Sequence, residues 1–207
     1  MLLDDFHSGI IAVLHPSGIT SKMTVRNAIL TYYKFSAIPM FLALIVALLI
    51  SSYLVTIISL SPTAQLVGGS AALTIAFYRK VLFLLVVIPI LMPIFLLVLA
   101  GIMHAIGSSL KIFKEGFSRT FTAVVFANFA TLLFWFTFVS LIDIGGIIYF
   151  VAFIYSIYVL VVALSKQQDI TKLNAFFVGV LSFFVVLIIL SLLSAGFTYA
   201  IASAGPA

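Results

Sequence analysis

Few side chains in this 207-residue chain can do acid–base, nucleophilic or metal chemistry, and their spacing works against all three. There are three histidines (His7, His15 and His104), five acidic residues and no cysteine. Without cysteine there are no disulfides, thiolate metal sites or thiol nucleophiles. The histidines lack short ligand spacings such as HxxxH, by which one helix face holds zinc. GxSxG, HExxH, a Gly-rich phosphate loop and a carboxylate pair suited to acid–base work are all missing from the sequence. The expectation is a protein that is not an enzyme and carries no cofactor.

Other polar groups stand out because their surroundings are apolar. Asn128 forms one helical stripe with Thr131 and Trp135. It lies about 12 Å along its run from Thr120, at 1.5 Å per residue. Two readings follow: a pore or substrate site, or a hydrogen bond between helices inside a bilayer. Pro89 and Pro93 stand four apart, and each removes an N–H from a helical ladder. They give either a hinge whose freed carbonyls can bind a cation, or a static kink. His104 closes its apolar run, where it can meet a headgroup phosphate, Glu115 across the loop, or the negative end of its own helix. No charge sits in the middle of any long apolar run, which argues against ion-coupled transport.

The elements that must position these groups are written in the composition. Hydrophobic residues make up 65% of the chain and charged residues 7%, with mean hydropathy +1.39. Soluble domains are about a quarter charged, so this chain cannot cover a water-facing surface. Five apolar runs occupy Phe35–Leu60, Val81–Ile106, Thr120–Leu141, Ile144–Leu164 and Ala175–Ala202. Each reaches the roughly 20 residues needed to cross about 30 Å of hydrocarbon, and in lipid such runs must be helical. The predicted fold is an all-α integral membrane protein with five transmembrane helices and a short amphipathic N-terminal helix. Residues 1–34 form the cytoplasmic N-terminal segment and residues 35–207 the transmembrane domain.

Residues 2–14 place Leu3, Phe6, Ile10 and Leu14 at helical spacing, which predicts a helix lying along the cytoplasmic interface. Its acidic start and short apolar run do not fit a cleaved signal peptide. His15–Gly18 reads as a turn, after which Thr20 or Ser21 caps a helix carrying Lys22 and Arg26 on one face. Ser61–Lys80 reads as an interfacial or re-entrant connection. Asp143 with Gly145 and Gly146 reads as a tight hairpin, and Ser165–Asn174 as a polar loop.

Charge sets the orientation. Lys22, Arg26, Lys34, Lys111, Lys114, Arg119, Lys166 and Lys172 fall on one side and only Arg79 and Lys80 on the other, eight against two. The N terminus is therefore expected in the cytoplasm of a cell membrane and the C terminus outside. Lys22, Arg26, Lys111 and Lys114 are expected on one cytoplasmic basic face toward anionic headgroups. The net charge of +5 is scattered over short loops and does not suggest nucleic acid. Gly107 and Gly116 should let the central loop turn tightly, while Phe113 and Phe117 anchor it at the interface. Small residues four apart (Ala43, Ala47 and Ser51; Gly101 and Ala105; Ala175 and Gly179) serve close helix packing, with one stripe left over for self-association.

The run GIMHAIGSSLKIFKEGFSRTFTAVVFANFATLLFW carries a resemblance. With His104, Gly107, Gly116, Phe117, Ser118, Arg119 and Thr120 in their places, it is similar to the central signature of the Yip-domain family of five-span membrane proteins. Leu14–Pro16, followed by an amphipathic helix, and Ala175 after a polar loop look like that family too. The resemblance covers nearly the whole chain in layout, on short and degenerate motifs. It implies a cytoplasmic N terminus, five spans and a non-enzymatic role in organising membranes. Eukaryotic members of the family bind prenylated Rab-type GTPases. This chain lacks their long N-terminal extension, their acidic-Leu-Tyr-Gly-Pro run and the proline of their third span, so Rab binding is not carried over and a short prokaryotic relative is implied. Two functional expectations stand: a membrane-organising adaptor that contacts lipid and partner membrane proteins, or a small channel or transporter using the kinked second span and the Asn128 stripe.

Overall fold

Long apolar runs satisfy their backbone groups only as helices, and helices are all the regular structure found among the described residues. The computed structural model describes residues 2–16, 23–59, 90–132 and 143–203. They form α1 (Leu2–Leu14), α2 (Val25–Ser59), α3 (Met92–Ser109), α4 (Phe117–Leu132), α5 (Asp143–Gln168) and α6 (Lys172–Ser203). Of these, α3, Phe150–Gln168 of α5 and Lys172–Gly196 of α6 are long and apolar enough to cross a membrane. The expected connection at Ser61–Lys80, with Lys22, Pro89 and Trp135, lies outside the described residues.

Helices α3 to α6 close a ring: α3 packs on α4, α4 on α5, α5 on α6, and α6 back on α3. The α3–α4 and α5–α6 connections lie at the same end, because the start of α4 hydrogen-bonds to the end of α5. Neighbours therefore run antiparallel. Outside the ring, α1 and α2 pack on α4. Helix α4 thus meets neighbours all round, and every residue from Thr120 to Leu132 except Asn128 is buried. Its Ala123, Ala127, Ala130, Thr120, Thr122 and Thr131 are small enough for such close approach.

Both ring connections begin with the same stop signal. After α3, Lys111 takes the left-handed conformation at φ 55°, and after α5 Asp169 does so at φ 51°. The Ile112 N–H then bonds the Gly107 carbonyl at 2.9 Å, and the Ile170 N–H bonds that of Ser165 at 3.0 Å. These are the six-residue closures of Schellman caps. Glycine is the usual residue at such a position, because a Cβ there costs about 1 kcal/mol. Lys111→Gly should accordingly raise stability by up to about 1 kcal/mol, read as a later unfolding midpoint in mixed micelles.

Neither of the two loop glycines supplies the left-handed residue of the turn. Gly107 sits inside α3, where a Cβ would come within 2.5 Å of the Phe113 ring. It is needed so that Phe113 can fold back over the helix. At Gly116 a Cβ would meet nothing within 4 Å and the backbone is not left-handed, so the tight turn rests on Lys111. Pro93 is buried in the first turn of α3, behind a π-type turn at Ile90–Leu91. At that position its missing N–H is no loss to α3.

Helix α1 forms where expected, but its apolar face lies against protein. Phe6 stacks on Phe35 of α2 at 5.1 Å between ring centres, and Phe35 stacks on Phe129 of α4 at 4.0 Å. Gly9 lies directly under the Phe35 ring, leaving no room for a side chain. Val13 is buried, and its carbonyl accepts the Tyr155 hydroxyl at 2.9 Å. The inward face is Phe6, Gly9, Ile10 and Val13, whereas Leu14 points outward at 61% exposure.

Candidate functional site

The polar groups of the chain gather where the two ring connections meet. Gln168, the last residue of α5, is fully buried and reaches across to the α3–α4 loop. Its Oε1 accepts the Glu115 backbone N–H at 3.0 Å. Because that donor can only face an oxygen, the amide orientation is fixed. Its Nε2 donates to the Thr120 hydroxyl at 2.9 Å and to the Gly116 carbonyl at 3.4 Å.

Thr120 Oγ1 lies 3.1 Å from His104 Nδ1. Which of the two donates depends on the imidazole tautomer, and Nε2 lies 3.4 Å from the Ser108 hydroxyl. Phe113 and Phe117 flank the imidazole at 5.9 and 5.8 Å. His104 therefore contacts Thr120 and Ser108 and not Glu115, and the two phenylalanines pack on the bundle instead of lying along an interface.

Arg119 belongs to the same cluster. Its side chain is 13% exposed, its Nη1 donates to Gln167 Oε1 at 3.0 Å, and its Nε lies 3.8 Å from Glu115. Such a guanidinium is held by protein and is not free for lipid. Lys114 pairs with Asp169 at 3.3 Å, but both are well exposed, so the pair contributes little. Lys111, Lys166 and Lys172 are exposed around it. Arg26 is also exposed at the start of α2. The result is a rigid, buried amide clamp beneath a rim of lysines.

The second polar feature lies inside the ring. A cavity of about 330 Å³ is walled by α3, α4, α5 and α6, chiefly by apolar side chains. Asn128 lines it and bonds within its own helix: Nδ2 donates to Thr131 Oγ1 at 3.2 Å, and that hydroxyl donates to the Asn128 carbonyl at 2.8 Å. The expected bond between helices is not the one formed. Asn128 Oδ1 is buried with no hydrogen-bond partner, an arrangement that costs about 1–3 kcal/mol.

Of the small-residue stripes, Ala175 is buried and Gly179 borders the cavity. Ala105 faces outward, and among the described residues nothing lies within 4 Å of a Cβ at Gly101. Among the described residues no group of three or more His, Asp or Glu side chains is placed to hold a metal.

The residues that sequence reasoning missed are Gln167 and Gln168. A usable signal existed, since two neutral amides stand just beyond the apolar run that ends at Leu164, between Lys166 and Asp169. No family model, no curated protein and no solved structure matches the chain.

Proposed function

We propose that this is a five-span integral membrane protein with a cytoplasmic N terminus, acting as a non-enzymatic adaptor that organises membrane through lipid and membrane-protein contacts. The observation that carries the reading is the clamped loop end. Gln168 holds the α3–α4 loop in one shape, and Lys111, Lys114, Lys166 and Lys172 stand exposed around it. A rigid basic rim at a helix-bundle end suits anionic headgroups, each lysine contributing about 1 kcal/mol near a charged leaflet. Membrane residence is supported by α6, where only 11% of Lys172–Gly196 is buried although the segment is strongly apolar. Lipid is the solvent that such an uncovered surface requires. The Yip-like layout agrees with this role.

The topology is tested in the naturally cysteine-free chain with a single Ser109→Cys substitution beside the clamp. An impermeant maleimide should label it only after the cell membrane is opened. Labelling of intact cells would invert the orientation and remove the basic rim from the cytoplasm.

The cavity with Asn128 favours a second reading, a small channel or transporter. Ion and solute flux in proteoliposomes separates the two. The adaptor gives none above protein-free vesicles, whereas selective flux lost in Asn128→Leu establishes the second reading.

A further inference from the structure

We propose that the cavity inside the ring is a binding site for an uncharged, single-chain lipid alcohol, whose hydroxyl meets Asn128 and whose chain fills the apolar remainder. The cavity lies at the low end of the range of about 300–1,000 Å³ typical of small-molecule sites. That size suits one chain. Its walls come from all four ring helices, so it belongs to the ring itself and is no surface dent. Phe95, Phe153, Phe176 and Phe183 line it and remain exposed, so the cavity is partly open and an apolar molecule has a way in.

The hydrogen-bonding capacity left inside selects the headgroup. Ser156 donates to the Phe153 carbonyl at 2.7 Å, and Thr131 donates to the Asn128 carbonyl. Both hydroxyl protons are thus used within their own helices. Asn128 Oδ1 has no donor at all, while Nδ2 already donates once to Thr131. A ligand hydroxyl answers both needs, donating to Oδ1 and accepting the second Nδ2 proton. In the rotamer present Oδ1 has no accessible surface, but the side-chain amide torsion is broad, so Asn128 can turn it toward such a group without moving α4. A phosphate or carboxylate finds no cation among the lining residues. A metal ion finds too few oxygens to replace its hydration shell.

The test uses the full chain in lipid nanodiscs with two probes, a diazirine-bearing hexadecanol and its methyl ether. They differ in that a methyl group replaces the hydroxyl proton. The alcohol should label the cavity segments of α4, α5 and α6 saturably, be displaced by unlabelled hexadecanol, and exceed the ether about fivefold, as one net hydrogen bond implies. Asn128→Leu should bring that ratio to one while leaving the ring folded, because it removes an unpaired group. Gly179→Leu, which projects a side chain into the cavity near Leu160, should abolish saturable labelling by both probes. Non-saturable labelling, equal labelling by alcohol and ether, or a preference surviving in Asn128→Leu would each overturn the proposal. Displacement by dioleoylglycerol as effective as by hexadecanol would overturn the single-chain assignment.

Discussion

Replacing Phe35 by alanine should lower stability by about 3–5 kcal/mol, the usual loss for a buried phenylalanine, and release α1 from the bundle. The ring is fully buried between Phe6 of α1 and Phe129 of α4. Its removal unstacks both contacts and empties the space over Gly9. Two measurements check this. The unfolding midpoint in mixed micelles should fall well below that of the parent chain. A cysteine introduced at Val13, which is 3% exposed, should change from protected to labelled in the Phe35→Ala background. A loss under about 1 kcal/mol with Val13→Cys still protected would show that α1 is held by something other than this aromatic stack.

Gln168→Leu should have the next largest effect. Leucine is close in size, so the substitution deletes the hydrogen bonds and little else. The Glu115 N–H loses its acceptor, and the Gly116 carbonyl and Thr120 hydroxyl lose a donor. The Gly116 carbonyl still accepts the Arg119 N–H at 3.0 Å and Thr120 is still bonded to His104, so the Glu115 N–H is the group left unpaired and the expected loss is at most about 3 kcal/mol. The specific readout is amide hydrogen exchange at Glu115, which should accelerate about a hundredfold. General loosening would instead speed exchange equally in the middle of α6, several turns from the clamp, and that pattern would refute the local account. Thr120→Val removes the hydroxyl that joins Gln168 to His104 but leaves the Glu115 N–H its acceptor, and should give a smaller shift at the same amide.

The helical segments were legible because hydrocarbon-length apolar runs leave the chain no other regular structure. Their ends were less so. The apolar run of α3 stops at Ile106 but its helix continues to Ser109, and α6 begins at Lys172, three residues before Ala175. Polar residues can cap or extend a helix without belonging to the run that reveals it. The inward face of α1 escapes a count of apolar side chains, because one of its central contacts is made by a residue with none, Gly9. Asn128 could be singled out from its surroundings, yet its bonding could not, since i, i+3 pairing within a helix competes with pairing between helices. The clamp was hidden for another reason. Gln167 and Gln168 look like loop polarity, and their contacts lie 48 to 53 residues away in sequence. Lys111 carried no cue to its left-handed backbone, whereas Asp169 is a residue type that enters that region more readily.

The long sequence separation within the clamp has a consequence for biosynthesis. Glu115 leaves the ribosome 53 residues ahead of Gln168, which at about 5–20 residues per second is roughly 3–10 s of synthesis. During that interval α3 and α4 are a hairpin whose connecting segment has no latch, and Thr120, Arg119 and the Glu115 N–H must be solvated by water or headgroups. The hairpin becomes fixed only when the end of α5 arrives. Order of emergence therefore makes Gln167 and Gln168 the step that fastens the first hairpin to the end of α5.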